Sequence, residues 1–374
     1  MISRQDVQRL IHRPNGIKPV LSVFLDMSVN SENKRTHRVF LGQQLAQFQE
    51  LESDRPSHHR EPLGAAFERV QRWLEQHFDE ANQGVVLYAE VGGDWLEGVQ
   101  LPVPVRNRVV IAPQPVIGPL AQIVESYRHH GIALVDRAHL RLLSVYLGEP
   151  LHEHEVKTSP YPTPHDVQRG GYSAIDFQKR KAEETRHFFK EFALEVAEFS
   201  RRYRPDDWIL LGTDENVKNF LEFLSPAVRE QVVYSAHAPI DATAAEVLER
   251  ITPFLFEQME REQSSVIDLV HDRVLHRHLA IAGFPDTLEQ LQEGKVDRLV
   301  LARDIERAGV QCLRCGFYLI RRDTVCPYCG GDLRAGVDLV EAMIRLAEEQ
   351  EVPIQFVPPE AMTDLHGVGA LLKF

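Results

Sequence analysis

Short apolar runs alternate with amphipathic stretches along most of the chain. The runs predict buried strands at residues 20–25, 84–89, 132–136, 140–147, 208–212, 232–234, 296–301 and 354–357. The amphipathic stretches predict helices at 34–51, 63–78, 119–130, 175–203, 216–224, 244–262, 287–293 and 337–350. Strands that alternate with helices are typical of α/β domains with a mainly parallel sheet. The pattern predicts three consecutive α/β domains, at residues 1–128, 131–268 and 269–374.

The long helix predicted at 175–203 is divided into two unlike halves. In its second half Phe188, Phe192, Val196, Phe199 and Tyr203 recur at spacings of four and three, which makes one apolar face. The first half, at 178–187, has no such face. We therefore expect the second half to pack on a core and the first half to project from it.

The segment at residues 158–173, called here the tip segment, precedes this helix. It contains Pro160, Pro162 and Pro164, which exclude helix, and then the pair Gly170 and Gly171, which permits close backbone approach to a partner. Residues 169–190 carry six basic and three acidic side chains, a local charge of +3 in a chain of net charge −13. A basic, glycine-containing protrusion suits a phosphate-lined space.

The remaining composition is that of an ordinary globular protein, with 43% apolar and 26% charged residues. No apolar run approaches the roughly 18 residues that span a bilayer, and the N-terminus lacks the apolar region of a signal peptide. All four cysteines fall between Cys312 and Cys329, which leaves none for disulfides elsewhere. We expect a cytoplasmic protein without a membrane partner.

Two Cys-x-x-Cys-Gly motifs predict a metal centre. Cys312 and Cys315 form the first pair, Cys326 and Cys329 the second, with ten residues between the pairs. Four thiolates at this spacing are typical of a closed tetrahedral structural Zn²⁺ site without an open position for catalysis. A redox dithiol, the alternative for a lone Cys-x-x-Cys motif, is disfavoured by the repetition.

Two further features have simpler interpretations. The histidine pairs 58–59 and 129–130 lack partners at metal-ligand spacing, so we expect them at the surface. Residues 212–215 follow a predicted strand where α/β proteins often bind ligands. The favoured interpretation is a strand-to-helix turn with Thr213 or Asp214 as the N-cap.

The tip segment and the helix after it resemble a known family. Arg169-Gly170-Gly171-Tyr172-Ser173-Ala174, followed by Phe177 and Lys179-Arg180-Lys181, resembles the Arg-Gly-Gly-Gln-Ser-Ala loop and helix of archaeal and eukaryotic class-one release factors. Residues 366–374 resemble the closing Gly-Gly-Ile-Gly-Gly-Ile-Leu-Arg-Tyr of release factors and of Pelota. The chain most resembles the bacterial archaeo-eukaryotic release factor-like proteins. Archaeal release factors also carry a similar zinc element in their third domain.

The resemblance implies a translation factor whose partner is the ribosome, through rRNA and the CCA end of tRNA. It also allows a translational GTPase as a partner, which the sequence does not identify. It places Gly170, Gly171 and Tyr172 at the catalytic positions of the release factor loop, which enters the peptidyl transferase centre. The RNA-binding positions that it implies are Arg169, Lys179, Arg180, Lys181 and Arg186. The stop-codon signatures Asn-Ile-Lys-Ser and Tyr-x-Cys are absent from residues 1–128, so stop-codon decoding is not expected.

Tyr172 stands where the family has Gln, and this leaves three functions open. The glycine backbone could still position water, which predicts a peptidyl-tRNA hydrolase for ribosome rescue. Alternatively hydrolysis is lost and the protein occupies the A site of the ribosome without chemistry, for which the Balon-type hibernation factors, relatives of Pelota, look like a precedent. We favour this second function slightly. A third possibility is an RNA-cleaving relative that uses His165, Asp166 and Arg169.

Overall fold

The structure is a computed structural model that describes residues 4–13, 18–29, 34–51, 57–158, 174–320 and 324–374. Its helices are α1 Arg4–Ile11, α2 His37–Leu51, α3 Ser57–His77, α4 Gly118–Ser126, α5 Ala174–Tyr203, α6 Asp214–Leu221, α7 Pro226–Glu230, α8 Ala244–Leu275, α9 Phe284–Gln292 and α10 Leu339–Glu349. Its strands are β1 Val20–Asp26, β2 Gly84–Glu90, β3 Leu96–Leu101, β4 Arg108–Ala112, β5 His130–Val135, β6 His139–Tyr146, β7 Glu149–Lys157, β8 Asp207–Gly212, β9 Val232–His237, β10 Ala280–Ala282, β11 Val296–Ala302, β12 Ala308–Cys312, β13 Tyr318–Leu319, β14 Leu333–Asp338, β15 Ile354–Val357 and β16 Val368–Leu372.

The predicted α/β class is confirmed, because separate sheets with helices packed on them occur along the chain. The chain folds into two compact units, one made of Met1–Ser126 with Met259–Phe374 and the other of Tyr127–Gln258. The division into three domains stays a prediction, and its boundary at 268 falls inside the continuous helix α8. Among the described residues, no helix has the length and apolarity to cross a membrane.

The N-terminal part of the first unit is an antiparallel sheet in the order β3-β2-β1-β4. Residues 95–111 contain Pro102 and Pro104, and the sequence predicts edge strands there because proline cannot donate to a strand ladder. Strands β3 and β4 do form the two edges, but both prolines lie in the connection between them. Helices α2 and α3 cover one face through a core that includes Leu41, Phe67 and Val70. The helix predicted at 119–130 ends at Ser126, and His130 already begins β5.

The C-terminal part of the first unit contains two sheets. The larger has the order β10-β16-β11-β15, in which only the β11–β15 pair is parallel. The smaller has the order β13-β12-β14 and carries the cysteine motifs. Helix α10 packs against α1 and α4 of the N-terminal part. The first unit therefore joins the two ends of the sequence.

The second unit is built on one sheet in the order β7-β6-β5-β8-β9. Strands β5, β8 and β9 are parallel, whereas β6 and β7 are antiparallel to their neighbours. The prediction of a mainly parallel sheet is therefore wrong for the β7-β6-β5 part of this sheet. The sheet is mixed because β5 and β6 form a hairpin at residues 136–138. Strand β7 was not predicted, since its mostly exposed Glu, His and Lys side chains make no apolar run.

Helices cover both faces of this second sheet. One face packs on α5 and α6 through a core that includes Phe192, Trp208 and Phe220. The other face packs on α8 through Val247 and Ile251. The carboxyl ends of β5 and β8 lie side by side at one edge, where Val135 is opposite Gly212.

Candidate functional sites

The structure brings the four predicted cysteines together. The sulfur atoms of Cys312, Cys315, Cys326 and Cys329 all lie within 4.8 Å of one another. Cys312 Sγ lies 3.5 Å from Cys329 Sγ, and Cys315 Sγ lies 3.7 Å from Cys326 Sγ. Among the residues that the structure describes, this is the one such group of possible metal ligands. Four sulfurs at this spacing could hold a single metal ion.

The backbone around the first cysteine pair turns toward its sulfur. The N–H groups of Arg314 and Cys315 donate to Cys312 Sγ, each over 3.4 Å. The glycine after each pair has a positive φ, +78° at Gly316 and +71° at Gly330, a conformation that L side chains rarely adopt. Glycine therefore relieves the backbone at the turn after each cysteine pair.

Gly331 was not singled out from the sequence, although it approaches the sulfurs most closely. A Cβ atom at this position would lie 3.2 Å from Cys312 Sγ and 3.3 Å from Cys329 Sγ. It would also lie 2.6 Å from the Cβ of Arg314, a separation at which the neighbouring atoms would have to shift. The sequence signal that could have identified Gly331 is the occurrence of a second glycine directly after the Cys326-x-x-Cys329-Gly motif.

The pKa values of the Cys312 and Cys315 thiols differ because the two groups have different hydrogen-bond partners and lie close to the other thiols. The N–H of Cys315, together with that of Arg314, lowers the pKa of Cys312 to about 6, against the opposing effect of burial. The N–H of Phe317 lowers the pKa of Cys315, but burial and the neighbouring thiols raise it to about 12 overall. A divalent cation shared by the four sulfurs would stabilise all of them as thiolates.

The cysteine module is joined to helix α9 by side-chain hydrogen bonds. The Gln292 amide donates to the Tyr318 carbonyl over 3.2 Å and accepts from the Tyr318 N–H over 2.7 Å. The Tyr328 hydroxyl donates to a Glu289 carboxylate oxygen at 3.3 Å. These contacts position the module relative to the C-terminal sheet, which is a structural role.

Helix α5 is anchored by its second half, as the sequence predicted. Phe192, Val196 and Phe199 are buried, and Phe188 and Tyr203 are partly buried against the same core. Phe189 lay outside the predicted stripe, yet it is 1% exposed and packs edge-on against Phe220, with ring centroids 5.4 Å apart. A strict spacing of four and three missed it because the apolar face is wider than one row of side chains.

The predicted tip residues lie outside the described residues. These are Arg169, Gly170, Gly171 and Tyr172, with Ser173, and the same holds for His165 and Asp166 of the alternative RNA-cleaving site. Lys179, Arg180 and Lys181 lie on α5, and their side chains are outside the described set. Arg186 is exposed on α5, as are Glu183 and His187. The structure therefore does not test the predicted catalytic role or the predicted RNA contacts.

The start of the tip segment is attached to the β5–β6 hairpin. The backbone N–H of Thr158 donates to the carbonyl of Ala138 over 2.9 Å, and the Thr158 hydroxyl donates to the same oxygen over 2.7 Å. Asp136 shapes that hairpin by accepting from the N–H groups of Ala138 and His139, both at 2.7 Å. The tip segment thus begins at a hydrogen-bonded turn.

The turn after β8 has the simple structure that the sequence favoured. Thr213 is the N-cap of α6, and its hydroxyl accepts from the Asn216 N–H at 3.3 Å. An open groove of about 400 Å³ lies beside it.

The prediction that His129 and His130 lie at the surface is wrong. Both are buried, at 7% and 8% exposure. His129 Nε2 lies 2.6 Å from Ser144 Oγ, and His130 Nδ1 lies 2.5 Å from a carboxylate oxygen of buried Asp207. Burial lowers the pKa of His129. Sequence spacing could not reveal these partners, because they come from strands paired across the sheet.

Comparisons with known proteins support the resemblance to release factor-like proteins. The model of bacterial archaeo-eukaryotic release factor family 10 matches residues 115–253. The match includes the tip segment, α5 and nearly all of the second unit, so the resemblance stated from the motifs is confirmed at the level of the family.

Longer similarities extend beyond these residues. Peptide chain release factor subunit 1 of Thermococcus onnurineus (strain NA1) is 22% identical over 356 residues, covering 84% of this chain and 85% of that protein. Pelota of Archaeoglobus fulgidus is 13% identical, covering 80% of this chain and 81% of that one, with a TM-score of 0.33. Dom34 of S. cerevisiae, a translation termination-like factor, is 10% identical, covering 79% and 82%, with a TM-score of 0.43. These TM-scores are low, so the assignment depends on the sequence matches.

Proposed function

We propose that this release factor-like chain is a translation factor that binds the ribosome with the tip segment leading. The observation that carries the proposal is the family match at residues 115–253, which contains Arg169-Gly170-Gly171-Tyr172 and all of α5. The tip segment is proposed to enter the peptidyl transferase centre and to act in ribosome rescue or hibernation. The 22% identity to an archaeal release factor subunit supports the same class of function.

The anchoring of α5 supports this mode of binding. The aromatic core around Phe189 and Phe192 fixes the second half of the helix to the sheet. The basic positions Lys179, Arg180 and Lys181 precede that anchored half, and Arg186 is exposed at its start. Cations on the part of a helix that precedes its packed half are suited to contact phosphates of rRNA or tRNA.

The chemistry of Tyr172 favours occupancy of the site over hydrolysis. Positioning a water molecule on an ester needs a donor or acceptor within roughly 3 Å of the attacking oxygen. A phenol extends further than the amide of Gln and lacks its N–H pair. Its ring can stack on a base, a contact that contributes about 1–3 kcal/mol. Tyr172 would therefore strengthen docking while weakening release of the peptide.

The metal centre is proposed to hold one structural Zn²⁺ ion. Its four sulfur donors match the thiolate set that zinc prefers in closed tetrahedral sites, and no water or carboxylate position is needed to complete the shell. Bound zinc would cross-link the two cysteine turns, while Gln292 and Tyr318 join the module to α9. The ion would then stabilise the C-terminal part of the first unit and take no part in chemistry.

The decisive experiment is a cryo-EM map of the protein with bacterial ribosomes. We expect density for α5 to lead into the peptidyl transferase centre, with residues 169–173 close to the CCA end of tRNA. A variant in which Lys179, Arg180 and Lys181 are all replaced by Glu is the matched comparison, and it should lose this density. Binding of the native protein at another ribosomal site, or no binding at all, would refute the proposal.

A further inference from the structure

Two consecutive histidines at the start of β5 are buried and have no role in the proposed function. His129 contacts Ser144 of β6, whereas His130 contacts Asp207 of β8. Histidine is the side chain whose charge ordinarily changes near neutral pH, so a buried histidine makes the structure around it sensitive to pH. The partners of each ring decide the direction of that sensitivity.

His130 has a partner that suits a protonated ring. Its Nδ1 lies 2.5 Å from a carboxylate oxygen of Asp207, a residue that is 2% exposed. The guanidinium of Arg128 lies 3.7 Å from the other oxygen of the same carboxylate. An imidazolium at this position would form a charge-assisted hydrogen bond with Asp207. Protonation therefore gives no reason for the His130–Asp207 contact to break.

His129 has partners that suit a neutral ring. Its Nε2 lies 2.6 Å from the hydroxyl oxygen of Ser144, which is fully buried, and the ring also hydrogen-bonds to the backbone of Arg204. A neutral imidazole has one donor and one acceptor, so it donates to the Arg204 carbonyl and accepts from the Ser144 hydroxyl. An imidazolium has two donors, so the buried hydroxyl of Ser144 would lose its acceptor, which is costly away from water.

The environment of His129 also disfavours a positive charge. The titratable groups that face its ring are Asp206 from the turn before β8, His130 from β5, Tyr146 from β6 and His152 from β7. Burial lowers the pKa of His129; the Asp206 carboxylate and the hydrogen bond to Arg204 raise it, and the two other histidines lower it. On balance the pKa lies below its ordinary value of 6.5. A histidine of this kind stabilises the fold above its unfolded pKa, and that stability is lost as pH falls through the folded pKa.

His129 fastens the turn between α5 and β8. Its carbonyl accepts from the backbone N–H of Asp206 over 2.7 Å, and its own N–H donates to an Asp206 carboxylate oxygen over 2.8 Å. Together with the ring contact to Arg204, these bonds join residues 204–206 to one histidine. The backbone of Arg204 has a φ of 49°, in the left-handed region, so the turn depends on surrounding contacts to hold it.

We propose that His129 is an acid-sensitive latch that holds the α5–β8 turn closed while its ring is neutral and releases the turn on protonation. In the released form, residues 204–206 separate from the start of β5, and the C-terminal end of α5 loses its fixed connection to the sheet. The pH thus controls how firmly α5 is held. The inference does not rest on the proposed function, because all of its contacts lie within the second unit.

The test uses the full-length protein without ribosomes. Hydrogen exchange of backbone amides is measured by mass spectrometry from about pH 7.5 to about pH 5, above the range in which exposed carboxylates titrate. The rates are corrected for the intrinsic effect of pH on exchange. We expect opening of residues 203–208 to increase below pH 6.5 by up to about tenfold per pH unit, the limit for uptake of one proton. Residues 209–211, further along β8, should stay protected.

His129→Gln is the sharpest variant, because an amide offers a donor and an acceptor but does not become protonated in this range. It should abolish the acid-dependent opening of residues 203–208. His187→Gln is the matched control, since His187 is exposed on α5 and lies 3.3 Å from Glu191. This control should keep the full response of the native protein.

Three results would overturn the inference. One is protection of residues 203–208 that does not change with pH in the native protein. Another is an acid response in His129→Gln equal to that of the native protein. If this variant does not fold, NMR titration of the histidine ring signals in the native protein decides, because His129 must become protonated over the pH range in which the turn opens. A His129 ring that stays neutral while the turn opens is the third.

Discussion

The carboxylate of Glu341 accepts a hydrogen bond from the backbone N–H of Gly118 over 2.8 Å. Its other oxygen accepts from Ile117 over 2.7 Å, so a side chain of α10 caps the start of α4, more than 220 positions earlier in the chain. The N–H groups of the first helical turn lack partners within the helix, and a carboxylate is their strongest acceptor. Arg345, one turn further along α10, donates to the carbonyl of Pro115 over 2.6 Å. These contacts hold the two ends of the sequence in one unit.

Glu341 should make the stability of the first unit depend on pH. Burial raises its pKa, against the lowering effects of Arg345 and of the two N–H donors. A carboxyl group whose pKa is higher in the folded than in the unfolded state contributes stability at low pH, and loses it as pH rises through the folded pKa. The free energy of unfolding of the native protein, relative to Glu341→Gln, should therefore decrease as the pH rises from about 4, the ordinary pKa of a Glu side chain, towards neutral pH.

Urea denaturation of both proteins across this range would measure the effect. Glu349→Gln is the control, because Glu349 is exposed on the same helix, and it should show no comparable trend. A difference between native protein and Glu341→Gln that stays constant with pH would contradict the assignment.

The cysteine module should contain one zinc ion per chain. Cys312→Ser should abolish stoichiometric zinc, because Cys312 receives both N–H donors and is 1% exposed. Chelation should increase hydrogen exchange first at residues 308–338, where folding and metal binding are coupled. Tyr328→Phe, which removes only the hydroxyl contact to Glu289, should keep the metal. Metal analysis that finds no zinc in native protein, or an unchanged melting curve after chelation, would exclude a structural zinc site.

Phe189 should be as important for stability as any residue of the predicted apolar stripe. Phe189→Ala should lower the free energy of unfolding by about 3–5 kcal/mol, because it removes a buried ring and leaves a cavity beside Phe220. Leu194→Ala on the same helix should have little effect, since Leu194 is 72% exposed. Equal losses of stability for the two variants in chemical denaturation would show that α5 is not anchored through Phe189.

Ribosome binding should depend on salt through the basic part of α5. Reversal of Arg169, Lys179, Arg180 and Lys181 to Glu should weaken co-sedimentation with ribosomes. It should also reduce the slope of log affinity against log salt by about one for each phosphate that is no longer neutralised. Arg201→Glu with Arg202→Glu, at the anchored end of the same helix, is the matched control and should have a smaller effect. Co-sedimentation that is indifferent to the fourfold reversal would argue against binding with the tip segment leading.

Substitutions at Tyr172 should distinguish binding to the ribosome from hydrolysis of peptidyl-tRNA. We expect the native protein to release peptide slowly or not at all from ribosomes that carry peptidyl-tRNA. Tyr172→Gln should increase release, because it restores the amide of the release factor loop, and Tyr172→Ala should weaken binding by removal of the stacking ring. Tyr161→Gln, in the same segment, should leave release unchanged. Rapid release by the native protein, with Tyr172→Gln no faster, would favour the rescue hydrolase instead.

Sequence alone was sufficient for features whose physics is local. The two Cys-x-x-Cys-Gly motifs predicted the cysteine cluster, because each short turn brings its own pair of sulfurs together whatever surrounds it. The spacing of Phe192, Val196 and Phe199 predicted the buried half of α5, since an apolar helix face must pack on something.

Tertiary structure alone decided the features whose partners are distant in sequence. Nothing near Glu341 indicates that it caps α4, and nothing near His130 indicates Asp207, because strand and helix pairing bring these groups together only after folding. Strand β7 escaped prediction because an exposed edge strand needs no apolar run and is stabilised by its pairing with β6.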